Sequence, residues 1–462
     1  MDEAKIKVGQ SFPLEIKKMG INGEGIGYYK KTIIFVHGAL SGEEVLAKVT
    51  KVFPNYCVAN VEKIKRQSEF RVTPPCPVYE TCGGCELQHL KYSAQLDLKK
   101  DLLIQALEKH TKLNTKKLKI RETIGMEEPF RYRGKSQFQA RMINGKMETG
   151  LYARESHQLV PIEDCLVQDS RTVELTNTAR DLLDQLGVKA YDERKKTGDI
   201  RTIVVRVGIN TGEAQLVLVT TGKNFSGRRS FVEKITAKFP NLVSVMQNVK
   251  EDDSSLIFGP ETEKLFGQEQ MTEKLSELKF DLSARAFFQL NPSQTEKLYA
   301  EVENALTLTG EESLVDAYSG AGTIGLYLAN KVREVRGMDV VEDAVLDAEH
   351  NAQKNGIKNA SYTVGSAEQV FHSWQEAGYK PDIVVVDPPR TGLEPGLLRS
   401  VLQVKPKQLV YVSCNPSTLA RDLAQLEKRY RIRYLQPVDM FPMTAQVECV
   451  VKLTLKSNPK KK

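Results

Sequence analysis

The strongest constraint on the fold is a change of hydrophobic period near residue 293. Beyond it, short and almost wholly apolar runs at 314–318, 335–339, 383–387 and 409–412 each lead into a turn or a helix-length segment. Buried apolar strands alternating with helices are βαβ units, because crossover helices cover both faces of a parallel sheet. Residues 286–456 are therefore predicted to form a doubly wound, Rossmann-like α/β sheet, with its ligand at the carboxyl ends of the strands.

The 462 residues are too many for one core at roughly 100–200 residues per domain. Residues 1–63 read as a small OB-like β-barrel. Alternating runs such as Ser11-Phe12-Pro13-Leu14-Glu15-Ile16 and Thr32-Ile33-Ile34-Phe35-Val36 are separated by turns at Gly20, Gly23, Gly25, Gly27 and Gly38, and barrels of this kind often hold single-stranded nucleic acid. Residues 64–285 form a strand-rich central region. Its helical segment, predicted at 93–110 within 93–124, carries Leu96, Leu98, Leu102, Leu103, Ile104 and Leu107, and it is expected to pack on the C-terminal domain. Two strands flanking Asn210-Thr211-Gly212 mark a hairpin. Residues 457–462 form a basic tail. No run approaches the ~18 apolar residues of a membrane span, and the first ten residues, MDEAKIKVGQ, lack the apolar core of a signal peptide. The chain reads as cytoplasmic, without membrane contact or an evident protein partner, and a monomer is expected.

The strand at 314–318 runs into Ser319-Gly320-Ala321-Gly322-Thr323-Ile324-Gly325. Such glycines let the backbone turn sharply and approach a ligand. The next strand ends at Asp339, where a carboxylate can accept from two ribose hydroxyls. NAD and S-adenosylmethionine both satisfy this pattern. Asp316 within the strand, and the lack of a hydride-transfer constellation, favour S-adenosylmethionine. A third strand delivers Asp387-Pro388-Pro389-Arg390, a motif that methyltransferases use to hold a planar group.

The strand at 409–412 ends in Ser413-Cys414-Asn415-Pro416. Cys414 stands where the cofactor pocket opens and just before a helix, whose N-terminal dipole is expected to favour thiolate. Cys449, alternating in a strand, is assigned to the core and Glu448 to the opposite face; Cys57 reads as structural. Carbon 5 of a pyrimidine attacks a sulfonium methyl only after a thiolate has added to carbon 6, and a base must then remove the carbon-5 proton. Cys414 as nucleophile and Glu448 as base are the minimum set for that chemistry.

Seven cysteines in a chain without an export signal do not make a disulfide scaffold. Cys76-x5-Cys82-x2-Cys85 and the distant Cys165 form a set of four soft ligands suited to zinc or to an iron–sulfur cluster, and spacing does not choose between them. The net charge of +7 matters only where it clusters: at Lys109, Lys112, Lys116, Lys117, Lys119 and Arg121, and at Arg131-Tyr132-Arg133-Gly134-Lys135, read as strand-like. Basic residues interleaved with aromatics suit phosphate contact and base stacking.

These motifs, with Phe287-Phe288-Gln289-Leu290-Asn291, together resemble the bacterial 23S rRNA (uracil-5-)-methyltransferases, the RNA m5U methyltransferases that carry a TRAM barrel and a [4Fe–4S] cluster. The likeness spans essentially the whole chain. It implies a TRAM domain at 1–63, a cluster on Cys76, Cys82, Cys85 and Cys165, and methylation of uridine carbon 5 in 23S rRNA through a covalent adduct. It further implies cofactor or base contacts from Gln289, Tyr318, Gly320, Gly322, Thr323, Asp339, Ser366 and Asp387, and RNA contacts from Arg131, Arg133, Lys135 and His157. Two positions depart from the family pattern: Gln446 replaces a histidine, and Ser366 replaces an Asp or Asn. A tRNA uridine methyltransferase, an exocyclic-amino N-methyltransferase and a non-catalytic RNA-binding assembly factor are the alternative readings.

Overall fold

Alternating burial shapes the first module of the computed structural model, which describes residues 6–457. In β1 (Ser11–Met19) Phe12, Leu14 and Ile16 are buried while Ser11, Pro13 and Glu15 face solvent. With β2 (Gly25–Tyr29), β3 (Thr32–His37), β4 (Glu44–Val52) and β5 (Tyr56–Arg66), this strand closes a barrel in the order β1-β2-β3-β5-β4. Closure removes free sheet edges. It also brings backbones close: a Cβ on Gly27 would stand 2.7 Å from the Glu15 carbonyl. The barrel core is Phe12, Leu14, Ile16, Ile34, Val36, Val45, Ala47, Val49 and Cys57. Cys57 is thus structural, and β5 runs past residue 63 because its pairing with β4 continues to Arg66.

Helix α1 (Tyr92–His110) follows the cysteine segment. Its buried positions are Gln95, Leu98, Lys99, Leu102, Leu103, Ala106 and Leu107, a stripe at helical period. Leu96 and Ile104, expected on this face, are only partly buried. Gln95 and Lys99 occupy core positions instead, each satisfied by buried partners: Lys99 pairs with Asp439 and donates to the Phe441 carbonyl at 3.1 Å. The chain leaving α1 is not helical to 124. After one short turn it runs beside the C-terminal sheet, with Arg121 N donating to Leu435 O (3.0 Å) and Ile124 N to Pro437 O (3.0 Å).

The central sheet has the order β12-β11-β10-β9-β6-β7-β8. It comprises β6 (Lys135–Ile143), β7 (Lys146–Tyr152), β8 (Leu159–Pro161), β9 (Ile200–Val207), β10 (Ala214–Thr220), β11 (Leu242–Val249) and β12 (Glu261–Gly267). Strands β9 and β10 form the expected hairpin and are buried throughout. Helices α2 (Ser170–Gln185) and α3 (Arg228–Lys238) cover one face through Leu175, Ala179, Leu183, Phe231 and Ile235. A second hairpin, β13 (Gln270–Leu275) and β14 (Leu278–Ser283), sends Met271, Leu275, Phe280 and Leu282 into the C-terminal core.

That core surrounds the predicted doubly wound sheet. Helix α4 (Pro292–Asn304) precedes β15 (Ser313–Ala317), α5 (Thr323–Ala329), β16 (Glu334–Asp339), α6 (Glu342–Lys354), β17 (Ala360–Val364) and α7 (Ala367–Glu376). Then come β18 (Ile383–Val386), α8 (Pro395–Val404), β19 (Gln408–Ser413), α9 (Pro416–Leu426), β20 (Tyr430–Val438) and β21 (Glu448–Leu455). The order is β17-β16-β15-β18-β19-β21-β20, with β21 antiparallel to both neighbours. Helix α1 adds Leu103, Ala106 and Leu107 to the core on one face, beside Leu419 and Leu423 of α9.

Candidate active site

Sheet register builds the centre of the site. Cys414 follows β19 and Glu448 opens β21. The two strands are antiparallel with Ser413 opposite Cys449, so Cys414 and Glu448 are the next facing positions at the same edge. Asp387 follows β18, which pairs with β19 through Val386 and Tyr411. Because side chains alternate along a strand, Cys449 points into the core at 1% exposure and Glu448 takes the other face, as expected from the sequence.

Burial dominates the electrostatics. It pushes Asp387 up to about 7, and Glu448 up to about 8 with Asp387 as second cause. The Cys414 thiol rises to about 11 through burial and then the charges of Glu448 and Asp387, with Arg390 opposing. The expectation that the following helix favours thiolate is thus corrected. Helix α9 starts beyond Asn415, whose side chain accepts from Ser417 N at 3.0 Å; burial acts first at the sulfur, ahead of the two carboxyl groups.

A cavity of about 460 Å³ opens onto Cys414 and is lined by Arg390, Asn415, Gln446 and Val447, and also by Ile21, Asn22 and Glu86. The last three come from the β1–β2 turn of the barrel and from the cysteine segment. No motif marks them; only tertiary packing brings them here.

On the cofactor side, Gly320 and Gly322 have φ of +53° and +77°, values that favour glycine. A Cβ on Gly322 would meet the Tyr362 hydroxyl at 2.6 Å. Asp339 accepts from Gly320 N and Val341 N, both at 2.9 Å. Asp316 is buried and accepts from Gly325 N at 2.8 Å, so it braces the turn. Tyr318 has φ +65° and accepts from Glu394 N at 3.3 Å. Thr323 Oγ1 bonds the Tyr299 hydroxyl at 2.6 Å, and Ser366 Oγ caps α7 by accepting from Gln369 N at 3.3 Å. Gln289 lines a small cavity with Gly134, Lys135 and Arg206. Phe287 is 71% exposed, and Val340, Val341 and Val364 leave apolar surface open beside Asp339.

Cys76, Cys82, Cys85 and Cys165 line one cavity of about 340 Å³ together with Tyr79, Gln88, Arg133 and Gln168. Burial pushes the Cys85 thiol up to about 12 and raises Cys82 and Cys165 as well. Among the described residues no three His, Cys, Asp or Glu side chains converge as a single-ion site.

Arg131 does not extend a strand: its φ is +54°, and its guanidinium grips Asp164 at 2.6 Å through both Nη atoms. Only Lys135 of that stretch opens β6. Its ammonium is pushed down to about 7 by burial, then by Arg206 and Arg133. His157 is exposed in the β7–β8 loop, 5.3 Å from the Tyr152 ring. Arg121 stacks 3.7 Å over Tyr434 and pairs with Glu301 at 3.2 Å, so it is a packing residue.

Residues 246–456 match the model of the tRNA (uracil-5-)-methyltransferase family, and residues 5–61 that of the TRAM domain. An RNA methyltransferase of Listeria monocytogenes is 60% identical over 99% of this chain and all of its own. One of Enterococcus faecalis is 53% identical over 99% of this chain and all of its own. Among solved structures, the Pyrococcus abyssi tRNA (uracil-54, C5)-methyltransferase in complex with S-adenosyl-L-homocysteine superposes with TM-score 0.77 at 28% identity, covering 96% of this chain and 100% of that one. The chain belongs to the RNA uracil-5 methyltransferase family. This family member is a methyltransferase that uses S-adenosylmethionine and acts on RNA. The glycine turn, Asp339 and the open apolar surface beside it fit that cofactor. No helix among the described residues is long and apolar enough to cross a membrane.

Proposed function

We propose that this enzyme methylates carbon 5 of uridine in 23S ribosomal RNA through a covalent bond between Cys414 and uracil carbon 6. The observation that carries the reading is the register of β19 and β21, which sets Cys414 against Glu448. An amino-group methyltransferase needs neither residue.

Cys414 loses its proton to solvent, with Arg390 as the cation opposing the rise in its pKa. Sulfur adds to carbon 6 and the ring electrons move onto the carbon-4 oxygen, which makes carbon 5 nucleophilic. S-adenosylmethionine supplies the methyl group on a sulfonium, and S-adenosylhomocysteine is left after transfer. Glu448 then takes the carbon-5 proton, the ring double bond re-forms, and the bond from sulfur to carbon 6 breaks. In this reading Gln289, Tyr318, Gly320, Gly322, Thr323, Asp339, Ser366 and Asp387 contact cofactor or target base. The hydroxyls of Thr323 and Ser366 each have one protein partner and keep hydrogen-bonding capacity for a ligand.

Cys76, Cys82, Cys85 and Cys165 hold a [4Fe–4S] cluster in this reading. Four soft donors spread around the walls of one cavity suit a multi-atom cluster better than a single zinc ion, and buried thiols with raised pKa gain from metal ligation. Bound there, a cluster would cross-link the cysteine segment to the loop at Cys165. Arg133, Lys135 and His157 face RNA, and Arg131 offers its charge net of Asp164.

The structural neighbour's own substrate, tRNA uracil-54, favours tRNA as the second reading. Unmodified 23S rRNA and tRNA transcripts incubated with labelled cofactor decide between them, 5-methyluridine being expected in the former. Glu448→Gln is expected to accumulate a denaturant-resistant, methylated protein–RNA adduct, and Cys414→Ala to form none. Near-normal methylation by Cys414→Ala overturns the covalent route.

A further inference from the structure

The loop between β20 and β21 leads directly into Glu448, yet its anchors come from elsewhere. Met443 has φ +69°, a strained conformation for a residue with a Cβ, which persists only where its surroundings impose it. Glu86 N and Leu87 N both donate to the Met443 carbonyl, at 3.1 and 2.9 Å. Gln95, fully buried on α1, accepts from Met443 N at 3.0 Å and donates to Leu87 O and Leu90 O at 3.0 and 2.9 Å. The Glu86 carboxylate accepts from Ala445 N at 3.3 Å. The Met443 side chain packs with Tyr79, Cys85, Tyr132 and Val167. From this clamp the chain passes along the Cys414 cavity through Ala445, Gln446 and Val447, with Glu86 on the same wall.

We propose that Glu86 and Gln95 are positioning residues for the base: by locking Met443 and Ala445 they set where Glu448 stands against Cys414. The proposal rests on the covalent reading above. A displaced base impairs proton removal more than sulfur addition or methyl transfer, because Cys414 hangs from β19 and the cofactor turn from β15. The clamp also makes the cysteine segment part of the active-site wall.

The test follows each step in the full-length protein with unmodified 23S rRNA transcript, and in parallel with 5-fluorouridine-substituted transcript, whose adduct cannot resolve. Glu86→Ala is expected to bind S-adenosylmethionine as the wild type does and to form the fluorinated adduct at the normal rate. Breakdown of the natural methylated adduct should slow by about 10–100-fold, the scale of a base misplaced by about an ångström, so that adduct accumulates. Glu86→Gln keeps an acceptor for Ala445 N and should restore breakdown. Gln95→Met should show the Glu86→Ala signature if it folds; if it unfolds, the Glu86 pair decides. Normal breakdown in Glu86→Ala overturns the clamp, as does a parallel loss of cofactor binding and adduct formation. If the wild type forms no fluorinated adduct with either 23S rRNA or tRNA transcript, the covalent reading itself has failed and the clamp falls with it.

Discussion

A half-buried thiol at the edge of the C-terminal sheet and a set of four thiols lining one cavity differ in what holds them. Cys414 stands at a strand end, where neighbouring strands fix its partners: Asp387 from β18 and Glu448 from β21. Cys76, Cys82, Cys85 and Cys165 hang on loops braced by side chains, chiefly Arg131 on Asp164 and on the Cys165 carbonyl, and by Gly84 N on Cys82 Sγ at 3.3 Å. Burial raises both kinds of thiol, to about 11 at Cys414 and about 12 at Cys85. Around Cys414 the other ionisable groups are carboxyls, which can move protons, and one arginine, which stays charged. Around Cys85 the neighbours include Cys165 and Cys82, whose charges, after burial, raise its pKa. A site built on loops depends on whatever cross-links them.

The largest effect should separate the two sets. Cys414→Ala should lower methyl transfer by about 10³-fold or more while leaving iron content and melting temperature near those of the wild type. Cys85→Ser should do the reverse, losing iron and sulfide and unfolding at lower temperature, with a smaller loss of transfer in whatever protein remains folded. Metal analysis, calorimetry and single-turnover rates on both variants check this. A Cys414→Ala variant that lost iron would break the distinction.

A smaller effect concerns pH at the sheet edge. Glu448 is raised to about 8, so the folded protein holds a proton that the unfolded chain releases near 4.5. Stability from this group is therefore full at low pH and is lost as pH rises towards and through 8. Glu448→Gln, which cannot ionise, should gain in stability relative to wild type as pH goes from 6 to 9, by about 2–3 kcal/mol at the upper end, read as a rising difference in melting temperature. Resolution of the methylated adduct by the wild type should accelerate over the same interval, because the ionised carboxylate is the base. A pH-independent difference between the proteins would place Glu448 in an ordinary solvated environment.

The smallest effect lies beside the cysteine cavity. Arg133→Ala and Lys135→Ala should each reduce the log–log salt dependence of RNA binding by roughly 0.7–0.9. Arg131→Ala should change it less, since Asp164 already neutralises its guanidinium. The Lys135 ammonium is pushed down to about 7, so RNA binding should take up a proton and weaken as pH rises past neutrality. Equal slopes for all three variants would mean that Arg131 leaves Asp164 for RNA.

What the sequence determined by itself is whatever is encoded at short range. Burial of alternate residues dictated the barrel, and apolar runs between helices dictated the doubly wound sheet. The placement of Asp339, Asp387 and Cys414 at strand ends, and of Gly320 and Gly322 in the turn after β15, was legible because local sequence and spatial position coincide there. The edge strand β17 escaped notice because only Tyr362 of its five residues is buried, which leaves no apolar run to read. Tertiary structure alone decided the rest. It placed Gln95 and Lys99 in a core, tied Arg121 to Tyr434, and brought Ile21, Asn22 and Glu86 to the cavity of Cys414. It also pushed the Cys414 thiol up through burial, against the thiolate expected from the sequence. Contacts between distant segments, and the loss of water that accompanies them, depend on packing that no window of sequence contains, and they set the charge state of the residues the motifs name.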